Sequence, residues 1–206
     1  MFANRLNGSD LAPALGTLGF RDVTGLVFPP GYVTGNGHYE QEMGDLDGDG
    51  DLDIYGLNWL IDTGVLTDLT LRNTGNGVYA DVTPLPGSFN SDGNEGDFLD
   101  YDNDGDLDLF VCAFTGANRL YDNQNDGGTT FAFQDVSSEI PLIFLTFLDV
   151  DVCDVDGDGD YDVFGSTDAN FGQPPRNVYF ENITGVPDTT APYIPNLEQV
   201  VRTTPG

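Results

Sequence analysis

The 206-residue chain has no lysine, and its six cationic side chains are all arginine. Against these stand 35 acids, for a formal charge of −29. A balance this one-sided repels nucleic acid and anionic membrane surfaces, so neither is an expected partner. Cysteine occurs only at Cys112 and Cys153, without zinc or CxxC spacing. The two either pair with each other or stand as free buried thiols. The one histidine, His38, sits beside Tyr39 ahead of an alternating stretch and reads as structural. There is no Gly-x-Ser-x-Gly elbow, Walker loop or dinucleotide fingerprint. No apolar run is long enough to span a membrane, and Met1–Leu6 lacks the apolar core of a signal peptide. The expectation is a leader already removed, or a chain belonging to a longer product. Convincing helical periodicity is also missing.

What the chain does have is aspartate in a fixed pattern. Asp45, Asp47, Asp49, Asp51 and Asp53 alternate through nine residues, with Gly50 at the sixth position. The pattern returns as Asp100, Asp102, Asp104, Asp106 and Asp108 with Gly105, and as Asp154, Asp156, Asp158, Asp160 and Asp162 with Gly159. The starts lie 55 and 54 residues apart, so this is an internal repeat. Fifteen of the 35 acids fall in these loops. Carboxylates packed this closely repel one another unless a cation holds them. Hard oxygen ligands on a flexible loop suit calcium. An EF-hand needs its closing acid at position 12, where Gly56, Val111 and Gly165 stand instead. The closing acid is at position 9. The expected ligands are the side chains at positions 1, 3, 5 and 9 and the backbone carbonyl at position 7, one calcium per loop and about three in all.

After each loop the chain alternates as a strand: Leu52-Asp53-Ile54-Tyr55, Leu107-Asp108-Leu109-Phe110, Tyr161-Asp162-Val163-Phe164. The D-x-[DN]-x-D-G-x-x-D loop followed by such a strand resembles the FG-GAP/VCBS repeat, over roughly residues 1–184. The resemblance implies blades of a β-propeller of the kind found in integrin α-subunits and in secreted bacterial proteins. Three further landmarks recur. One is Phe20-Arg21-Asp22-Val23-Thr24, repeated at Tyr79–Thr83 and Phe133–Ser137. Another is Ala3-Asn4-Arg5-Leu6, verbatim at Ala117–Leu120 and echoed at Leu69–Asn73 and Asn177–Asn182. The third is an alternating segment before each loop, clearest at Phe147–Val152. Each unit then reads as four antiparallel strands.

The predicted fold is therefore all-β: a β-propeller-like array of four-stranded blades with calcium loops and an incomplete blade at each end. The partial blades are 1–25 and 145–182, the full ones 38–83 and 94–137, and 185–206 is an extended Pro/Thr-rich tail or linker. Arg5, Arg72, Arg119 and Arg176 sit in or beside the third strands and are expected to pair with aspartates of neighbouring strands, such as those of the Asp-Val elements. Trp59 and Tyr32 are read as blade core or as platforms for sugar rings. The expected function is a non-catalytic, extracellular or cell-surface structural or adhesive module of bacterial type. Incomplete end blades predict a homo-oligomer or filament built by sharing strands, residues 1–25 of one copy packing on 145–184 of the next. The alternatives are a glycan- or protein-binding adhesion fragment of a larger multidomain secreted protein, or an accessory domain of a polysaccharide-degrading enzyme.

Overall fold

The structure is a computed structural model that describes residues 22–30, 40–57, 68–82, 93–114, 116–125, 131–143, 145–168 and 176–184. His38, Trp59, Tyr32, Arg5 and the 185–206 stretch lie outside them. The described residues form three antiparallel sheets. The first contains β1 (Glu40–Gly44), β2 (Asp53–Leu57), β3 (Leu69–Asn73) and β4 (Tyr79–Asp81), in that order. The second contains β5 (Gly93–Leu99), β6 (Asp108–Ala113), β7 (Arg119–Asn123) and β8 (Phe133–Asp135), again in chain order. The third has β9 (Thr146–Cys153), β10 (Asp162–Asp168) and β11 (Val178–Phe180), with β10 central. Each nine-residue acidic loop joins the first two strands of its sheet. The residue before the loop pairs with the closing aspartate every time: Gly44 with Asp53, Leu99 with Asp108, Cys153 with Asp162.

The sheets stack face to face through two apolar cores. β6 shows why its sequence is apolar without alternation. Leu109 and Val111 point into a cluster with Leu46 of the first loop and Tyr55 and Leu57 of β2. Phe110 and Cys112 point the other way, into a cluster with Phe147, Val150 and Val163 of the third. A strand covered on both faces has no solvent side for polar residues to occupy. β10 is covered on one face only: Val163 is buried while Phe164 is 41% exposed. Among the described residues the three sheets form a stack and no closed ring.

Two expectations need correction. The Phe-x-Asp-Val-Thr element is not a strand throughout. β8 stops at Asp135, and Ser137–Glu139 forms a 3-10 turn. Ser137 donates both its backbone N–H and its hydroxyl to the Asp135 carboxylate. Thr24 likewise donates its N–H and its hydroxyl to Asp22 Oδ1, at 3.0 and 2.6 Å, and Thr24–Val27 is a single helical turn, α1. An aspartate whose side chain captures the backbone two residues on competes with the ladder and ends the strand. The cysteines are both free; Cys112 is buried and Cys153 exposed, so they are not two buried thiols.

Candidate metal centres

In each loop the carboxylates at positions 1, 3 and 9 converge. One oxygen each from Asp45, Asp47 and Asp53 lie within 4.8 Å of one another, as do those of Asp100, Asp102 and Asp108 and of Asp154, Asp156 and Asp162. The turn that brings them together depends on its glycine. Gly50, Gly105 and Gly159 have φ of 90°, 99° and 103°, a region a side chain strongly disfavours. Backbone N–H groups thereby turn inward onto position 1. Asp45 accepts from Asp49 N and Gly50 N at 3.1 and 2.8 Å, and Asp100 accepts from Asp104 N and Gly105 N, both at 3.0 Å.

The fifth-position carboxylates stand outside these triads. Asp49, Asp104 and Asp158 each accept the N–H of position 7, from Asp51, Asp106 and Asp160 at 3.0, 3.1 and 3.3 Å. The seventh-position side chains are turned elsewhere in the second loop, where Asp106 Oδ2 accepts from Asn125 N at 3.1 Å.

The closing aspartate also ties its loop to the sheet. Its two oxygens accept two backbone N–H groups, one from position 2 of its own loop and one from an asparagine at or just past the end of the third strand. Asp53 accepts from Leu46 N and Asn73 N at 3.0 and 2.7 Å. Asp108 accepts from Tyr101 N and Asn123 N at 2.8 and 2.7 Å. Asp162 accepts from Val155 N and Asn182 N at 2.9 and 2.8 Å. The asparagine side chain then reaches the preceding sheet. Asn123 Nδ2 donates to Leu46 O at 3.0 Å, and Asn182 Nδ2 to Tyr101 O at 2.7 Å. Position 2 of one loop is thus held from both sides. These asparagines were not singled out as functional in the sequence, although all three were visible at the end of the third-strand landmark.

Burial and crowding work against ionisation here. Desolvation pushes Asp53 up to about 6 and Asp108 up to about 8, with neighbouring aspartates adding to the rise and the backbone donors opposing it. Asp47, Asp100 and Asp102 are raised for the same first reason. Asp102 Oδ1 is buried with no hydrogen-bond partner, and so is Asp160 Oδ1. An orphaned carboxylate oxygen beside two further carboxylates is a donor set that fits a hard cation. Oxygens held 2.3–2.6 Å from one calcium lie up to about 5 Å apart, which the triads match. A bound cation would supply the charge that this crowding lacks.

The arginines divide. Arg119 lies 3.4 Å from Asp135, a pairing with an Asp-Val element. Arg72 turns instead to its own loop, with Nη2 at 2.6 Å from Asp47 Oδ2 and 3.6 Å from Asp49 Oδ2.

A family model for the FG-GAP-like repeat matches residues 45–111 and 100–165, more than half of the chain. The chain belongs to the FG-GAP-like repeat family. Each match opens at the start of one acidic loop and closes within the strand that follows the next loop. An FG-GAP unit read in this phase contains the loop, the asparagine that closes on it and the following loop. No match was found among curated proteins. Among the described residues, no helix is long and apolar enough to cross a membrane.

Proposed function

We propose that the chain is a calcium-stabilised, non-catalytic module of an extracellular structural or adhesive protein. The observation that carries this reading is the threefold triad at positions 1, 3 and 9, each locked to its sheet through the closing aspartate. Loop sites of this kind bind weakly enough to need the calcium concentrations found outside cells, about 10⁻⁴–10⁻³ M. A metal that binds only the folded loop adds its binding free energy to stability. Equilibrium dialysis of the purified chain against calcium, with magnesium as competitor, tests the reading. The expected content is close to three calcium ions per chain, retained in equimolar magnesium. A content below one, or displacement by magnesium, contradicts it.

A specific observation favours assembly by shared strands. In the first interface Phe133 of β8 packs into the cluster of Tyr55, Leu109 and Tyr121. The equivalent places in the second interface are Phe110, Val163 and Phe180. They line an apolar cavity of ≈ 260 Å³. The third sheet has three strands among the described residues, so no fourth-strand aromatic fills the position that Phe133 fills one sheet earlier. Phe28 stacks on Tyr79 at 5.2 Å, which places the linker after α1 against a fourth-strand aromatic. Ile140 and Pro141, in the matching linker, border the cavity. The Phe20–Thr24 segment of a second copy has the pattern to enter it, adding a strand at the β11 edge. Light scattering of the full chain in millimolar calcium is expected to show assemblies, and deletion of residues 1–25 or Phe20→Ser to abolish them while calcium binding at Asp100–Asp108 persists. A monodisperse full-length monomer overturns the assembly reading and leaves the module as part of a larger adhesive protein.

A further inference from the structure

The three sheets differ in the charge of the residue beside the latching asparagine. The residue before the latching asparagine is Arg72 in the first sheet, Asp122 in the second and Glu181 in the third. The asparagine is bound to the loop in the same way each time, so its neighbour reaches the same region. In the first sheet this neighbour is the guanidinium on Asp47. In the second it is Asp122, a buried carboxylate whose Oδ1 accepts from Gln124 Nε2 at 2.7 Å and which brings negative charge where the first sheet has a cation. Asp47 is fully buried and belongs to the triad of its loop, so a metal there must share Asp47 with Arg72 or displace it. The same guanidinium nitrogen lies 3.6 Å from Asp49 Oδ2, so Arg72 faces two acids of this loop.

We propose that Arg72 acts as a resident cation of the first loop, making the three metal sites unequal: the loop at Asp45–Asp53 fills last, and the loop at Asp100–Asp108, reinforced by Asp122, fills first. The consequence is graded. At low calcium the second loop, in the middle of the stack, is ordered by metal while the first is held by its own arginine. At high calcium all three are filled. The inference rests on the calcium reading above, and its test separates the two.

The test is calorimetric titration of the full chain with calcium, beside Arg72→Gln and Asp122→Asn. Circular dichroism in saturating calcium establishes that each variant is folded. The wild type is expected to show separate affinity classes. Arg72→Gln tightens the weakest class by about tenfold, the size of effect expected from removing one nearby charge at part-exposed distance. Asp122→Asn weakens the tightest class and leaves the weakest unchanged. Should a variant fail to fold, the salt response of the wild type decides in its place. Sodium chloride screens the Arg72–Asp47 pair as well as the metal, so the weak class loses less affinity with salt than the tight class. Equal affinities at all three sites, an Arg72→Gln isotherm that matches the wild type, or equal salt losses in both classes would overturn the inference while leaving the calcium reading intact. Absence of any calcium binding removes both.

Discussion

Gly105 shows how much of the site depends on one backbone angle. Its φ of 99° directs the N–H onto Asp100, yet no atom lies within 4 Å of where a Cβ would stand. Gly105→Ala therefore meets no clash, and its whole cost is conformational, about 1–2 kcal/mol. Urea denaturation in saturating calcium should show that loss; an unchanged midpoint would mean that the turn relaxes to another geometry. Asn123 is the second residue with a large single effect. Its side chain satisfies Leu46 O in one sheet and Leu107 O in its own, at 3.0 and 3.1 Å. Asn123→Ala leaves two carbonyls without this donor, at about 1–3 kcal/mol for each that stays unsatisfied. The expected loss in denaturation is about 2–4 kcal/mol. A loss below about 0.5 kcal/mol would mean that water replaces the amide.

At the scale of elements, the first strands of successive sheets bring acids together between the stacked faces. Glu42 of β1 feels Asp97 of β5, and Glu95 and Asp97 feel Asp149 and Asp151 of β9. Burial is the first cause of the shifts, and these neighbours add to it. Glu95 is pushed up to about 8, Glu42 to about 7 and Asp97 to about 6. A carboxyl raised by folding keeps its proton longer in the folded state. The folded chain then holds more protons than the unfolded chain from about pH 4 to 8, so stability falls as pH rises through that window. The metal-free chain should melt at lower temperature at pH 8.5 than at pH 5.5, and Glu95→Gln should narrow the gap. A melting temperature that rises with pH would contradict the arrangement. The strands themselves were legible. Loop, strand and repeat length pointed to antiparallel strands joined by acidic hairpins, because alternation in Phe147–Val152 and the apolar run after each loop follow directly from which faces are covered. The end of β8 was not legible, because Asp135 and Ser137 settle it by a local side-chain capture that a β-branched, aromatic-led stretch does not announce. Nor was the division of labour in the loop. Spacing places five carboxylates on one turn, but it does not show that the N–H of position 7 bonds one oxygen of position 5. The Arg72 contact with Asp47 was likewise out of reach, since its partner lies 25 residues away, across two strands.

For the whole molecule, 35 acids against six arginines make the folded chain a balance between apolar stacking and charge repulsion. The two interface clusters hold the sheets together, and the loops sit at the same end of every first hairpin, where the repulsion is densest. Calcium in all three would offset six charges and add about 2.7 kcal/mol per site at a hundredfold excess over its Kd. The most direct test of this account is thermal unfolding of the full chain in millimolar calcium and again in excess EDTA at matched ionic strength. The account predicts a strong fall in melting temperature on chelation, reversed by adding back calcium and not by sodium chloride. The same melting curve in both buffers would contradict it, leaving the three aspartate loops as solvated turns.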